Sequence, residues 1–322
     1  MNKKYLQHST YSLLLADECS KIQDVLDTFE YESLPCLCGH NSDYNVIAKV
    51  DRYGLRLDTI QCLHCGSLRS SPYMTQDSLE IFYQKYYRDL YSSNLGPERI
   101  FSSAYERGVK YLAILQKNLF SGDVLEIGAG TGGGLMPLHE NGYKCVGCDY
   151  GEDFLDYGLS KGLNLKVGSY EQFIGKKKFD LVILSHVFEH FIKPKEEIKK
   201  IKKLLAPNGL LLIEVPGLLN IKISYRGNFL EFLQGAHPYH YTKNLLHYLV
   251  VNSGFQILSE DEGVCCLYKK NNLKQDKYEL QNEYETITKY LRDLKYYNIL
   301  KFVDPEYIIP MIKHYTKKFS RK

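Results

Sequence analysis

Short apolar runs alternate with amphipathic segments from residue 121 to about residue 270. Seven of the runs predict β-strands, at 123–128, 144–149, 163–168, 179–185, 209–216, 255–261 and 264–270. Helices are predicted near 131–141, 151–160, 194–205 and 242–253. Apolar strands that alternate with helices are typical of a parallel sheet covered on both faces. The last two strands follow each other directly, which predicts an antiparallel hairpin at the edge of this α/β sheet.

The pattern of apolar and polar positions also divides the rest of the chain into regions. Residues 1–75 contain four clustered cysteines and few long periodic segments, and residues 76–120 predict a helical linker region. The core at 121–270 is followed by an extension at 271–322, whose first part, 271–294, predicts a charged helix. The connection at 217–236 is long, and we interpret it as a lid or acceptor-binding segment in which Tyr225 and Arg226 are available; a plain surface loop is the alternative.

The composition limits the classes of protein to which the chain can belong, but it does not indicate a function. A chain of 322 residues with 44% hydrophobic and 25% charged residues is typical of a globular protein with one large and one small domain. The net charge of +3 does not by itself indicate nucleic acid. The basic runs at 193–203 and 313–322 are interpreted as solvated. Because no apolar stretch approaches the roughly 20 residues of a membrane span and no signal-peptide pattern is present, we expect a cytoplasmic protein.

Four cysteines form two pairs, Cys36-x-Cys38 and Cys62-x-x-Cys65, and each pair is followed by a glycine. Such short turns let thiolates converge on one tetrahedral ion, and four thiolates leave no open position for catalysis. The sequence therefore predicts a structural Zn²⁺ site. The first pair is one residue tighter than usual, so substitution by His40 or His64, or free core cysteines, are the alternatives. Cys145, Cys148, Cys265 and Cys266 lie within predicted strands and are expected in the core.

A glycine-rich turn, "VLEIGAGTGGGL", follows the first strand of the α/β region. Gly128, Gly130 and Gly132 would let the backbone approach a ligand closely. Asp149 ends the second strand about 20 residues later, where an acid can accept hydrogen bonds from a ribose. Glu126 would repel a pyrophosphate but attract a cationic cofactor. The pattern thus favours S-adenosylmethionine over a dinucleotide.

The segments "LEIGAGTGG", "GCDYGEDFLDYG", "FDLVILSHVFEHFIKP", "LAPNGLLLIEVPG" and "HPYHYTKNLLHYLVVNSGF" occur in this order. In them the chain resembles class I S-adenosylmethionine-dependent methyltransferases over residues 121–270. The resemblance implies a doubly wound, Rossmann-like seven-stranded sheet whose last strand is antiparallel. It also implies a cofactor site made of Glu126, Gly128, Gly130, Gly132, Asp149, Tyr150, Ser169, Tyr170, Ser185 and His186. Ser169 departs from the Asp that is commoner in this family.

With its amino-terminal cysteine module, the chain is similar to methyltransferases of bacterial sugar and polysaccharide pathways. The zinc-bearing sugar C-methyltransferases have a Tyr-His-Glu-His stretch that includes their catalytic base. Here Tyr239-His240 is followed by Tyr241-Thr242, so the Glu-His pair is missing. The resemblance therefore implies O- or N-methylation of a small molecule such as a nucleotide-linked sugar.

The stretch "SHVFEH" contains the candidates for chemistry. In a helix, His186, Glu189 and His190 would share one face. With His237 or His240 they could hold a divalent metal, as in some small-RNA and quinone-pathway methyltransferases. Alternatively a histidine acts as a base without metal, or these residues contact cofactor or simply pack. We predict that His190 or His240 takes the acceptor proton, with His237 as a further candidate.

Three other functions stay open from sequence. The zinc module and the basic helix could hold the phosphates of an RNA substrate, although nucleic acid is not the expected partner. The fold could bind cofactor without catalysing a reaction, as a partner protein. A nicotinamide-dependent dehydrogenase would share the glycine turn and the downstream acid.

Overall fold

The structure is a computed structural model that describes residues 16–87, 90, 96–271 and 277–300. The basic run at 313–322 therefore lies outside the described residues. Within the described ranges, no helix combines the length and the apolar character needed to cross a membrane.

Thirteen strands and ten α-helices are used below. The strands are β1 (Tyr31–Glu32), β2 (Tyr44–Val50), β3 (Arg56–Cys62), β4 (Leu68–Ser70), β5 (Tyr73–Met74), β6 (Asp123–Ile127), β7 (Lys144–Asp149), β8 (Leu165–Val167), β9 (Phe179–Ser185), β10 (Leu205–Glu214), β11 (Tyr239–His240), β12 (Phe255–Glu260) and β13 (Cys265–Lys270). The helices are α1 (Ala16–Leu26), α2 (Gln76–Lys85), α3 (Pro97–Lys117), α4 (Met136–Glu140), α5 (Glu152–Ser160), α6 (Pro194–Lys202), α7 (Ile221–Ser224), α8 (Phe229–Phe232), α9 (Lys243–Val251) and α10 (Tyr284–Leu300).

The predicted seven-stranded, mostly parallel sheet is confirmed. Its order is β12-β13-β10-β9-β6-β7-β8, and β13 is antiparallel to both of its neighbours. The apolar runs form its central strands, where Leu181, Val182 and Ile183 are completely buried. Cys145, Cys148, Cys265 and Cys266 are buried in its strands, as expected. The carboxyl ends of β6, β9 and β10 lie side by side, because these strands are parallel and adjacent.

Two predicted helices begin later than the sequence pattern indicates. The first was expected near 131–141, but α4 begins only at Met136, because the glycine turn continues through Gly134. The charged helix was expected from 271, but α10 begins only at Tyr284.

Residues 277–283 instead form a non-helical strap that joins the α/β unit to the cysteines. Tyr278 N–H donates to the Asn252 side chain, and Glu283 N–H donates to the Cys65 carbonyl. Leu280 packs against the cysteine cluster. These tertiary contacts outweigh the helix-forming composition of the segment.

The amino-terminal part forms a second, four-stranded sheet with the order β11-β4-β3-β2. Its edge strand β11 comes from the α/β region, since Tyr239 pairs with Arg69 and His240 pairs with Leu68. The cysteine module and the α/β unit therefore share a strand.

The connection at 217–236 is packed against the fold and so does not have the open arrangement of a lid, whereas acceptor binding by Tyr225 and Arg226 stays a prediction. Its helices α7 and α8 bury Ile221 and Phe232 in one apolar cluster with Leu68 of β4 and Ile287 of α10. Tyr225 places its ring 5.5 Å from that of Phe232. The connection is thus a wedge between the second sheet and the carboxyl-terminal helix.

We predict that Ile287→Ala lowers the free energy of unfolding by about 2–5 kcal/mol, because Ile287 is completely buried. The matched control is Ile223→Ala in α7, where the side chain is 79% exposed and the expected loss is about 0.5 kcal/mol or less. Urea denaturation measures both. Equal losses would show that α10 does not pack as described.

Candidate active site and cysteine cluster

The glycine turn after β6 is built from left-handed backbone. Gly128, Gly130 and Gly132 have φ values of 69°, 52° and 74°. A Cβ atom at Gly128 would lie 2.4 Å from Cγ2 of Val187, so glycine is required there. At Gly130 the same atom would meet nothing within 4 Å. The turn is therefore open at Gly130, where a ligand can lie directly on the backbone.

Asp149 ties this turn to the end of β7. One carboxylate oxygen accepts from Gly130 N–H at 2.9 Å, and the other accepts from Gly151 N–H at 2.8 Å. A carboxylate has about four lone pairs, so acceptor capacity is left for two ribose hydroxyls. Tyr150 beside it is 77% exposed and presents a flat ring at the rim.

Glu126 lies buried under the same turn. Burial raises the pKa of Glu126 to about 8. One of its carboxyl oxygens has no hydrogen-bond partner in the described residues. A buried acid in this state is stabilised by a nearby cation or donor. The open glycine turn, Asp149 and Glu126 thus fit a cofactor with a ribose and a cationic group, as S-adenosylmethionine has.

Ser169 and Tyr170 have structural partners in this structure. The Ser169 hydroxyl accepts from Glu171 N–H and so begins a short 3-10 helix. Tyr170 is buried and donates to the Glu197 carboxylate. Their predicted contacts with the cofactor stay predictions.

Helix α3 contributes residues to the site that the sequence analysis missed. The Tyr111 hydroxyl lies 2.6 Å from that of Ser185 and donates to the Glu214 carboxylate. Arg107 Nε donates to the Ser185 hydroxyl at 3.3 Å. One signal was available, because Ala104, Gly108, Tyr111 and Leu115 fall on one helical face, and all four are buried.

The stretch "SHVFEH" is not an α-helix, so the shared helical face considered from the sequence does not form; it consists of a left-handed residue and one 3-10 turn. His186 has φ 55°, and only Phe188–His190 are helical. His186 N–H donates to the Glu214 carbonyl, and its Nδ1 lies 3.4 Å from the Glu189 carboxylate. His186 therefore lies at the sheet edge beside the glycine turn.

His190 is directed into the interior between the two sheets. Its Nδ1 lies 2.7 Å from the Tyr83 hydroxyl and 3.1 Å from the Ala236 carbonyl. The Ala236 carbonyl can only accept, so its contact favours the tautomer with the proton on Nδ1, which leaves the lone pair on Nε2. Burial lowers the pKa of His190, so the ring is neutral near pH 7. This is the protonation state that a general base requires.

His237 stands next to His190, with ring centroids 4.8 Å apart. Burial lowers the pKa of His237 well below its ordinary value, and its Nδ1 has no hydrogen-bond partner in the described residues. Its ligand atom, that of His190 and a Glu189 oxygen all lie within 4.8 Å of one another.

His240 is centred 6.4 Å from His237 and 5.0 Å from the Phe232 ring. Burial lowers the pKa of His240 to about 3. Of the three predicted histidines, His190 and His237 share a site with a carboxylate, whereas His240 lies against an aromatic ring and is a weaker base.

The four predicted cysteines converge. The Sγ atom of Cys36 lies 3.6 Å from that of Cys65 and 3.2 Å from that of Cys38, and Cys38 lies 3.8 Å from Cys62. Zn–S bonds of about 2.3 Å in a tetrahedron give sulfur–sulfur edges of about 3.8 Å. The set is therefore compatible with Zn²⁺, and the tight Cys36-x-Cys38 spacing does not prevent convergence.

The two histidines considered as substitutes lie beside the tetrad. His40 places its Nδ1 3.8 Å from Cys38 Sγ, and its ring stacks on His64 at 3.6 Å. Gly39 and Gly66, with φ values of 95° and 81°, close the two turns. Each knuckle thus has the glycine that its geometry requires.

The family described as "Methyltransferase domain" matches residues 98–260. An uncharacterized methyltransferase of Staphylococcus carnosus (strain TM300) is 29% identical over 128 residues, which are 38% of this chain and 60% of that protein. The chain thus spans 60% of the length of this curated relative.

Solved structures with a similar fold include two methyltransferases. The SAM-dependent methyltransferase of Thermotoga maritima has a TM-score of 0.40 and 18% identity, covering 54% of this chain and 91% of that one. The S-adenosylmethionine-dependent methyltransferase of Mesorhizobium loti has a TM-score of 0.38 and 13% identity, covering 47% and 91%.

We predict that Gly130→Ala weakens S-adenosylmethionine binding at least tenfold, because the added methyl group enters the open space on the turn. Gly142→Ala is the matched control, since Gly142 also has positive φ, 83°, and open space around its Cβ, but lies in the turn before β7. Both carry about 1 kcal/mol of backbone strain. Isothermal titration calorimetry should show reduced affinity only for Gly130→Ala; unchanged affinity would contradict the assigned cradle.

Proposed function

We propose, since this chain belongs to the methyltransferase-domain family, that it methylates an oxygen or nitrogen atom of a small molecule such as a nucleotide-linked sugar or polysaccharide precursor. The family match and the cofactor-site geometry support an S-adenosylmethionine-dependent methyltransferase. The observation that carries the proposed acceptor chemistry is the position of His190. This half-buried, neutral histidine lies in the 3-10 turn that follows β9, and β9 is the strand next to β6 and its glycine turn.

The roles of the chain's own residues follow from their positions. When bound, S-adenosylmethionine supplies a methyl group that is already activated on a sulfonium sulfur. Asp149 and the Gly130 backbone orient the cofactor, and Glu126 lies where a cationic group is favoured. With the cofactor bound, His190 would take the proton that the acceptor oxygen or nitrogen releases on methylation, and it would hold that proton at Nε2.

Burial supports a small acceptor. His237 is buried and His190 is half-buried, and His190 contacts Tyr83 of α2 and the chain at Ala236. A small molecule, or a slender group that projects from a larger one, fits an acceptor site enclosed in this way. The wall is provided by α2, outside the matched methyltransferase domain, so we infer that the amino-terminal part selects the acceptor.

A divalent metal is the second way in which this site can act. Glu189 has one buried oxygen without a hydrogen-bond partner in the described residues, as has Nδ1 of His237. With His190 they offer one carboxylate and two imidazoles, a set suited to a divalent ion. Such an ion would orient the acceptor and promote loss of its proton.

We predict that His190→Asn lowers kcat by about 10²–10⁴-fold at saturating cofactor, because the general base is removed. His139→Asn, at an exposed position of α4, is the control and should keep its kcat. The assay follows transfer of a labelled methyl group to nucleotide-linked sugars. Near-normal kcat in both His190→Asn and His240→Asn would rule out the histidine base.

Glu189→Gln separates the two mechanisms in the same assay. If a metal is used, chelator-treated enzyme regains turnover with Mg²⁺ or Mn²⁺, and Glu189→Gln loses this response. A base without metal leaves turnover independent of added ions.

We also propose that the cysteine tetrad binds one structural Zn²⁺. The converging Sγ atoms support it, and closed four-thiolate sites stabilise small modules that have little core of their own. We predict about one zinc per chain by atomic emission and loss of most of it in Cys65→Ser. Cys19→Ser, outside the tetrad, should keep its zinc. A zinc-free, folded wild-type protein would refute the site.

A further inference from the structure

Arg69 is a buried cation in the middle of the second sheet. Arg69 is only 3% exposed. It lies in β4, between Ile60 of β3 and Tyr239 of β11. Nε donates to the Leu34 carbonyl at 3.0 Å. Nη1 is buried and has no hydrogen-bond partner in the described residues, and within them Arg69 forms no ion pair.

This arrangement is costly unless something compensates the charge. A buried charge is usually neutralised or paired, but a guanidinium does not lose its proton in proteins. The neighbouring Tyr239 does not supply an anion, because burial raises the pKa of its phenol and its hydroxyl donates to the Pro35 carbonyl. Thiolates of a loaded cysteine tetrad would act only from a distance, since none accepts a hydrogen bond from Nη1.

A cavity of about 170 Å³ lies against Arg69. Its polar lining residues besides Arg69 are Ser33, Asn41, Tyr44 and Ser71, and no acidic residue lines it. The Asn41 carbonyl oxygen accepts from Cys36 N–H at 2.7 Å, which leaves the Asn41 amide group as a donor. Hydroxyl and amide donors around one guanidinium are the chemistry that recognises a phosphate oxyanion.

We propose that this cavity is a second ligand site, which binds a phosphate group through Arg69. It is separate from the methyl-transfer site. Arg69 lies opposite Tyr239 in the sheet, and Leu68 lies opposite His240. Because successive side chains of a strand point to opposite faces, Arg69 and Tyr239 are on one face of the sheet and His240 is on the other. The cavity and His240 therefore lie on opposite faces of the second sheet.

The same strand connects this site to the candidate catalytic histidines. Ser70, next to Arg69, donates its hydroxyl to the His237 carbonyl at 3.0 Å and its N–H to the Pro238 carbonyl at 2.9 Å. A phosphate held by Arg69 would thus fix β4 against the chain that carries His237. Occupancy of the cavity is expected to favour the ordered acceptor site.

The test measures thermal stability and calorimetric binding with inorganic phosphate against chloride at equal ionic strength. Phosphate should raise the melting temperature of the wild type in a concentration-dependent way. Arg69→Met should weaken phosphate binding at least tenfold, and Arg292→Met, at an exposed position of α10, should not. Unchanged S-adenosylmethionine binding shows that each variant is folded.

Ser33→Asp tests the idea without removing Arg69. It places a carboxylate at the cavity wall, so it should raise the melting temperature without phosphate and abolish the effect of phosphate.

A nucleoside diphosphate is the second probe. Stronger binding than that of inorganic phosphate, lost in Arg69→Met, identifies a nucleotide as the source of the phosphate. If neither probe stabilises the wild type, or if Arg69→Met binds both normally, the proposal is overturned.

Discussion

The pairing of β11 with β4 is the contact on which the rest of the structure depends. It is only two residues long, yet it places a strand of the α/β unit in the sheet of the cysteine module. Both backbone and side chains reinforce it, since Ser70 binds the chain at His237 and Pro238, and Tyr239 reaches Pro35. His237 lies two residues before β11, and His240 is part of it. The candidate acceptor site therefore exists only when the two units are joined.

Buried carboxylates mark the active edge of the large sheet. Glu126, Glu189 and Glu214 are all largely buried near the ends of adjacent strands. Glu214 is paired with Tyr111 and Lys110, whereas Glu126 and Glu189 each keep an oxygen without a partner in the described residues. The paired acid holds helix α3 on the sheet, and the other two face the places where ligands are proposed. Satisfaction of buried polar groups thus separates structural acids from candidate functional ones.

Much of this was predictable from local pattern. The periodicity of apolar residues predicted the order of strand, glycine turn and helix, and the need of a ligand for exposed backbone indicated the role of the turn and of Asp149. The spacing of the cysteines indicated that their thiols converge. The left-handed conformation of His186 was not predictable, because it depends on the hydrogen bond from its amide to Glu214. Nor was β11 predictable, since two residues carry too little pattern to identify a strand. Tyr83 and Tyr111 were missed for a related reason: their roles depend on distant partners.

The strap at 277–283 and helix α10 have a consequence for the order in which the protein assembles. The cysteine knuckles are complete in sequence by residue 66, but Leu280 and Glu283 supply contacts to them, and Ile287 packs on the adjoining second sheet. A ribosome makes these residues more than 200 positions later. The α/β unit can form its sheet from strands that are close together in the sequence. The cysteine module, which is synthesised before it, lacks part of its contacts until the strap at 277–283 and α10 have been made. The cysteine module is therefore synthesised before the α/β unit, but its contacts are completed after those of that unit.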